Sequence, residues 1–116
     1  MTIVPEGEFK VTTTPTIPGY RVTHVYGIVS GLSPRTRGVG GVLKGALQSI
    51  GGGEITAFTT EIEKARTDAV ARAIQKARNM GANALIGLDL ETSDLGESYI
   101  TLVSATGTAV TIEKEE

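Results

Sequence analysis

The chain contains no cysteine and no tryptophan. The first absence removes disulfides, thiolate zinc sites, iron–sulfur clusters and cysteine nucleophiles together, and it fits a reducing compartment. Aromatic residues make up only 4% of the 116 residues, two Phe and three Tyr. Aromatic rings usually supply the largest buried areas of a core, so this core has to be built from Val, Ile, Leu and many Ala. His24 is the single histidine, and none of Ser30, Ser33, Ser49, Ser98 or Ser104 lies in a nucleophile-elbow motif. A catalytic triad would need that one histidine, and no spacing points to it. Positive charge is not in excess: 11 Lys and Arg stand against 13 Asp and Glu, a net charge of −2. Without a basic stripe, binding to duplex nucleic acid loses its main driving term. No apolar run approaches the length of a membrane span, and "MTIVPEGEFK" lacks the basic-then-apolar order of a signal peptide. The expectation is a cytoplasmic protein with neither a nucleic-acid nor a membrane partner.

What remains is a length suited to one domain, residues 1–116, with 15 glycines. A core this poor in rings is thin, which favours burying further surface between subunits.

Phe9 to Thr14 reads as a short extended segment, and Pro15 and Pro18-Gly19 punctuate a turn. Tyr20 to Leu32 follows as a strand. Strict alternation puts Val22, His24, Tyr26 and Ile28 on one face and Arg21, Thr23, Val25, Gly27 and Val29 on the other, unless a bulge at Gly27 or Gly31 intervenes. Ser33 to Gly38 reads as a polar loop. Val39, Val42, Leu43, Ala46, Leu47 and Ile50 then recur at helical steps, and Gly51-Gly52-Gly53 ends that helix.

A longer helix begins between Glu54 and Thr60. Its apolar line is Ile55, Phe58, Ile62, Ala65, Ala69, Ala73, Ala77 and Met80, widened by Val70 and Ile74. Asp68 precedes Arg72 by four residues, and Gly81 is the expected left-handed terminator. Ala84 to Glu91 reads as a strand with Ile86, Leu88 and Leu90 opposite Asp89 and Glu91. Ser93 to Glu97 is a turn, and Tyr99 to Glu113 a last strand whose "SATGTAV" stretch invites close approach. The predicted fold is α+β, in the order β-β-α-α-β-β, with an antiparallel sheet and both helices on one face.

Three sets of residues are candidates for chemistry. Asp89, Glu91, Asp94 and Glu97 place carboxylates on one strand and its following turn, the donor type that holds a hard divalent metal ion. His24 becomes a metal ligand if symmetry brings copies together. Arg35 and Arg37, ahead of a glycine-rich helix start, are candidates for binding a small anion. "GVGGVLKG" is neither a Walker A loop nor a dinucleotide fingerprint. With no Cys and two Met, the chain offers little to a soft metal.

The order and spacing of several segments resemble the YbjQ-like family, small bacterial and archaeal proteins of unknown function that carry a heavy-metal-binding label. The segments are "TTTPTIPGYRV" at 12–22, "YGIVSG" at 26–31, Gly52-Gly53, "KAR" at 64–66, "GANALIGLDLE" at 81–91 and "VSATGTAV" at 103–110. The chain departs from the family pattern at Glu54, where a basic residue is common, and at Phe58-Thr59, where a Tyr-Glu pair is common. The resemblance implies an α+β subunit that assembles into a ring-like homopentamer, with pentamers able to pair into decamers. The functional expectation is a non-enzymatic homo-oligomer that binds a metal ion or small anion at subunit interfaces. The rival is an enzyme that uses carboxylates from neighbouring subunits.

Overall fold

A computed structural model of the chain describes residues 2–3, 8–36, 54–94 and 100–115. The alanine line forms the buried side of the helix α1, Glu54–Met80. Ala65, Ala69, Ala73 and Ala77 are fully buried, at steps of four, while Val70 and Ile74 are half-buried beside them. Alanine has high helix propensity and no bulk, so it both builds the helix and lets it sit close to the sheet. The helix stops in a Schellman turn. The Gly81 amide donates to the Arg78 carbonyl at 2.9 Å and the Ala82 amide to the Ala77 carbonyl at 3.0 Å, with Gly81 at φ +100°.

The sheet is organised around the long last strand. In chain order the strands are β1 (Thr2–Ile3), β2 (Lys10–Val11), β3 (Tyr20–Thr36), β4 (Ala84–Asp94) and β5 (Ile100–Lys114). Antiparallel β3 lies along the whole of one side of β5, from Thr36↔Ile100 to Tyr20↔Lys114. The other side pairs with β4 and then with β1, both antiparallel. The long axis of 59 Å is set by this pair of strands, since seventeen residues of β3 span about 56 Å at ~3.3 Å each.

Two expectations are corrected here. The sheet is mixed rather than antiparallel, and α1 is the one helix among the described residues, so the order β-β-α-α-β-β with two helices on one face does not hold. The predicted helix over Val39 to Ile50 lies outside the described residues. The sheet is mixed because the first segment does not form a hairpin with β3. Residues 12–19 cross to the far side of β5, and Lys10–Val11 pairs in parallel with Ala84–Leu85 of β4. Main-chain bonds from Thr12 and Thr14 to Leu85, Gly87 and Leu88 hold the crossing in place.

The polar loop expected from Ser33 is a third correction. Ser33 to Thr36 continues β3, paired with Val103 to Ile100. An edge strand needs no donor on its outer flank, so Pro34 is tolerated there.

Two cores flank the sheet. Beneath α1 lie Val29, Leu85, Leu88, Val103, Ala105 and Ala109, with Phe9 and Tyr26 packed against them. On the opposite face a smaller cluster of Ala84, Val110 and Ile112 is covered by Ile17, Tyr20 and Ile86. Asn83 completes β5 where β4 has not yet begun. Its Nδ2 donates to the Ile112 carbonyl at 3.0 Å and its Oδ1 accepts from the Ile112 amide at 2.7 Å. At the start of the sheet Lys10 donates to Glu8 at 2.9 Å, and this hydrogen bond raises the Lys10 pKa above its ordinary value.

Candidate functional site

Among the described residues, the face of the sheet opposite α1 is covered at one end by residues 17 and 20 and is open along the rest of β3. Its apolar residues are reached through irregularities in the strand. Val22, Val25, Ile28 and Leu32 stand at steps of three, three and four, which no regular strand places on one face. Two bulges make up the difference. Register shifts lie between Val22 and His24 and between Val25 and Gly27, so Thr23 and Tyr26 are extra residues with no counterpart on β5. Gly27, at φ +130°, takes up the second. The four apolar residues therefore pair with Ile112, Val110, Thr108 and Ser104, every second or fourth residue of β5. They share one face and are 41%, 59%, 77% and 47% exposed.

Beside this apolar row runs a polar one. Ser30 and Thr106 are in hydrogen-bond contact across the strands at 3.0 Å. Asp89 pairs with Thr106 and Glu91 with Ser104, so both carboxylates share the open face, and both are exposed.

The remaining candidates do not join them. Asp94 pairs with Thr101, whose side chain is buried on the α1 face, and its Oδ1 accepts from Thr101 Oγ1 at 2.8 Å. Asp94 therefore belongs to the other side of the sheet. His24 pairs with Thr111, five residues along β5 from the partner of Asp89, or about 17 Å at ~3.3 Å per residue. Its ring meets Tyr26 edge-on at 4.4 Å. Tyr26 Oη in turn donates to the Gly81 carbonyl at 3.3 Å and contacts Thr111 Oγ1 at 2.9 Å. Arg35 forms an ion pair with Asp68 of α1, and its Nε is buried without a hydrogen-bond partner among the described residues. Glu97 and Arg37 lie outside the described residues.

Among the described residues no group of three or more His, Cys, Asp or Glu is placed to hold a metal ion. The donor set does not fit a soft heavy metal: it contains no thiolate, and Met80 is the one described thioether. Among the described residues, the carboxylates placed on the open face are Asp89 and Glu91. No described helix is long and apolar enough to cross a membrane.

Strict alternation misses the apolar row because it runs straight through both bulges. The one local signal was Gly27, together with the three-three-four spacing itself.

Comparison with known proteins gives the chain its relatives. A UPF0145 protein of Saccharolobus islandicus is 44% identical over 110 residues, covering 95% of this chain and 96% of that protein. A UPF0145 protein of Methanocella arvoryzae is 43% identical over 105 residues, covering 90% and 87%. A crystal structure of a protein of unknown function from Pediococcus pentosaceus, assigned to the DUF74 family, shares the fold with a TM-score of 0.58 at 18% identity, covering 90% of this chain and 98% of that one. Residues 9–113 match the profile of the YbjQ family, described as "Putative heavy-metal-binding", and the chain belongs to that family.

Proposed function

We propose that this protein acts as a non-enzymatic homo-oligomer whose subunits meet through the open face of the sheet. The observation that carries this reading is the row Val22, Val25, Ile28 and Leu32, held in solvent on one face by two bulges. An exposed apolar row on a small domain, interrupted by Ser30 between Ile28 and Leu32, marks an interaction site. Burying four such side chains, at about 1.5–3 kcal/mol for each one fully removed from water, is a sizeable driving force for association. The expected assembly is a cytoplasmic homopentamer, the state that the family resemblance implies, with a decamer as its paired form.

The ligand reading that the residues favour is a hard divalent metal ion at a subunit interface. Asp89 and Glu91 lie on the same open face as the apolar row, so association through that face carries carboxylates from neighbouring copies toward one another. Oxygen donors of this kind select Mg²⁺, Ca²⁺ or Mn²⁺ over thiophilic metals. The anion reading is weaker, since the Arg35 guanidinium is already engaged by Asp68.

Native mass spectrometry of protein purified without chelator tests both parts. A homo-oligomer carrying a hard cation is the expected spectrum. A subunit-sized species at micromolar concentration overturns the oligomeric reading, and an oligomer without retained metal overturns the ligand reading alone.

A further inference from the structure

We propose that the outer edge of β3 is closed to strand addition by Arg72 and Lys76, and that these two side chains keep the assembly finite. The inference concerns what the sheet edge refuses, so it stands whether or not the open face binds a second copy.

Among the described residues β3 has one neighbour, β5, so its other flank carries outward-pointing backbone groups. A long strand in that position is a template for pairing with the edge of another copy, unless something blunts it. Pairing from Gly27 to Thr36 runs without a register shift. Residues 28, 30, 32 and 34 therefore direct their backbone groups one way, and 29, 31, 33 and 35 the other. Pro34 decides which set faces outward. It has no N–H to give, and a place in the ladder facing β5 would leave a partner unsatisfied.

The carbonyls of that outward set are already taken. Lys76 Nζ donates to the Ser30 carbonyl at 2.6 Å, and Arg72 donates to the Leu32 carbonyl. Both donors are exposed and lie one turn apart on the flank of α1. Asp68, one turn earlier, reaches Arg35 at the next step along the strand. The line Asp68, Arg72 and Lys76 thus meets β3 at Arg35, Leu32 and Ser30 in turn. An incoming strand meets two occupied acceptors and then a proline that cannot donate. It also meets two positive charges that have to be displaced before pairing starts. The excluded partner is the edge strand of a second copy of this chain.

The test is the double substitution Arg72→Ala with Lys76→Ala in the full chain. Light scattering reads the mass, an amyloid-type dye reads intermolecular strands, and circular dichroism reads the fold. The expected result is a rise of about tenfold or more in weight-averaged mass, with dye binding and native helix content. The exchange variant, Arg72→Lys with Lys76→Arg, keeps both donors and should hold the wild-type mass. If the alanine pair stays at the wild-type mass while folded, or if the exchange variant grows equally, the proposal is overturned. If the alanine pair does not fold, Arg72→Met with Lys76→Met retains unbranched side-chain stems without an N–H donor and is judged by the same two outcomes. Failure of the oligomeric reading is visible separately, in the mass of the unaltered protein.

Discussion

Gly31 of β3 lies directly beneath Ala69 of α1. A Cβ built at Gly31 would fall inside the Ala69 carbonyl oxygen and come within 2.6 Å of the Ala73 amide nitrogen. Both obstacles are main chain, so no side chain can move aside. The closeness follows from pairing a glycine with the alanine line on the facing helix. Gly31→Ala should cost about 3 kcal/mol or more, at or beyond the upper end for overpacking. Gly27→Ala meets nothing within 4 Å and suffers only its positive φ, a cost of roughly 1–2 kcal/mol. Urea unfolding of the two variants measures the order, and a larger loss at Gly27 would contradict this packing.

Asn83 stands in for a missing strand residue opposite Ile112, giving and receiving one hydrogen bond. Asn83→Ala leaves both main-chain groups of a buried residue without those partners. The expected loss is about 2–3 kcal/mol, read as a lower unfolding midpoint. A shift near zero would mean that water replaces the amide.

The elements easiest to foresee were those set by a local rule. The alanine line and Gly81 fixed the course and end of α1, because helical spacing and a left-handed terminator are written in adjacent residues. Asp89 and Glu91 were rightly paired on one face, since alternation holds over two residues. Asp94 does not join them: β4 runs on as a strand without a register shift from Asp89 to Asp94, so alternation turns the Asp94 side chain to the opposite face, at Thr101. Alternation puts Val25 and Ile28 on opposite faces, because a bulge is decided by pairing with β5, which sequence neighbours do not record. The parallel placement of Lys10–Val11 was equally out of reach, as it depends on where residues 12–19 cross the sheet. Ser33–Thr36 is polar enough to read as a loop, yet its partner strand imposes extension on it.

Asp89 and Glu91 supply oxygen donors without a thiolate or a nearby histidine. Titration with Mn²⁺ should show saturable binding that Asp89→Asn with Glu91→Gln reduces by about tenfold or more, whereas Cd²⁺ should bind no better to the original than to the variant. Stronger Cd²⁺ than Mn²⁺ binding, unaffected by the substitutions, would reverse the assignment.

Arg35 and Asp68 join β3 to α1, with side chains 30% and 47% exposed. An ion pair this open to solvent contributes under about 1 kcal/mol. Asp68→Asn should therefore shift stability little, and less again in high salt. A loss of several kcal/mol in thermal unfolding would show that the pair is far better shielded than its exposure indicates.

The measurement that reaches furthest is the solution mass of the protein beside that of Ile28→Lys. Ile28 is the most exposed of the four apolar residues, at 77%. Light scattering at micromolar concentration should return a multiple of the 12.1 kDa subunit for the unaltered protein. The variant should return one subunit, with its unfolding midpoint independent of concentration. A single-subunit mass for the unaltered protein, or an assembly indifferent to a lysine at position 28, would contradict the claim that this face brings the copies together.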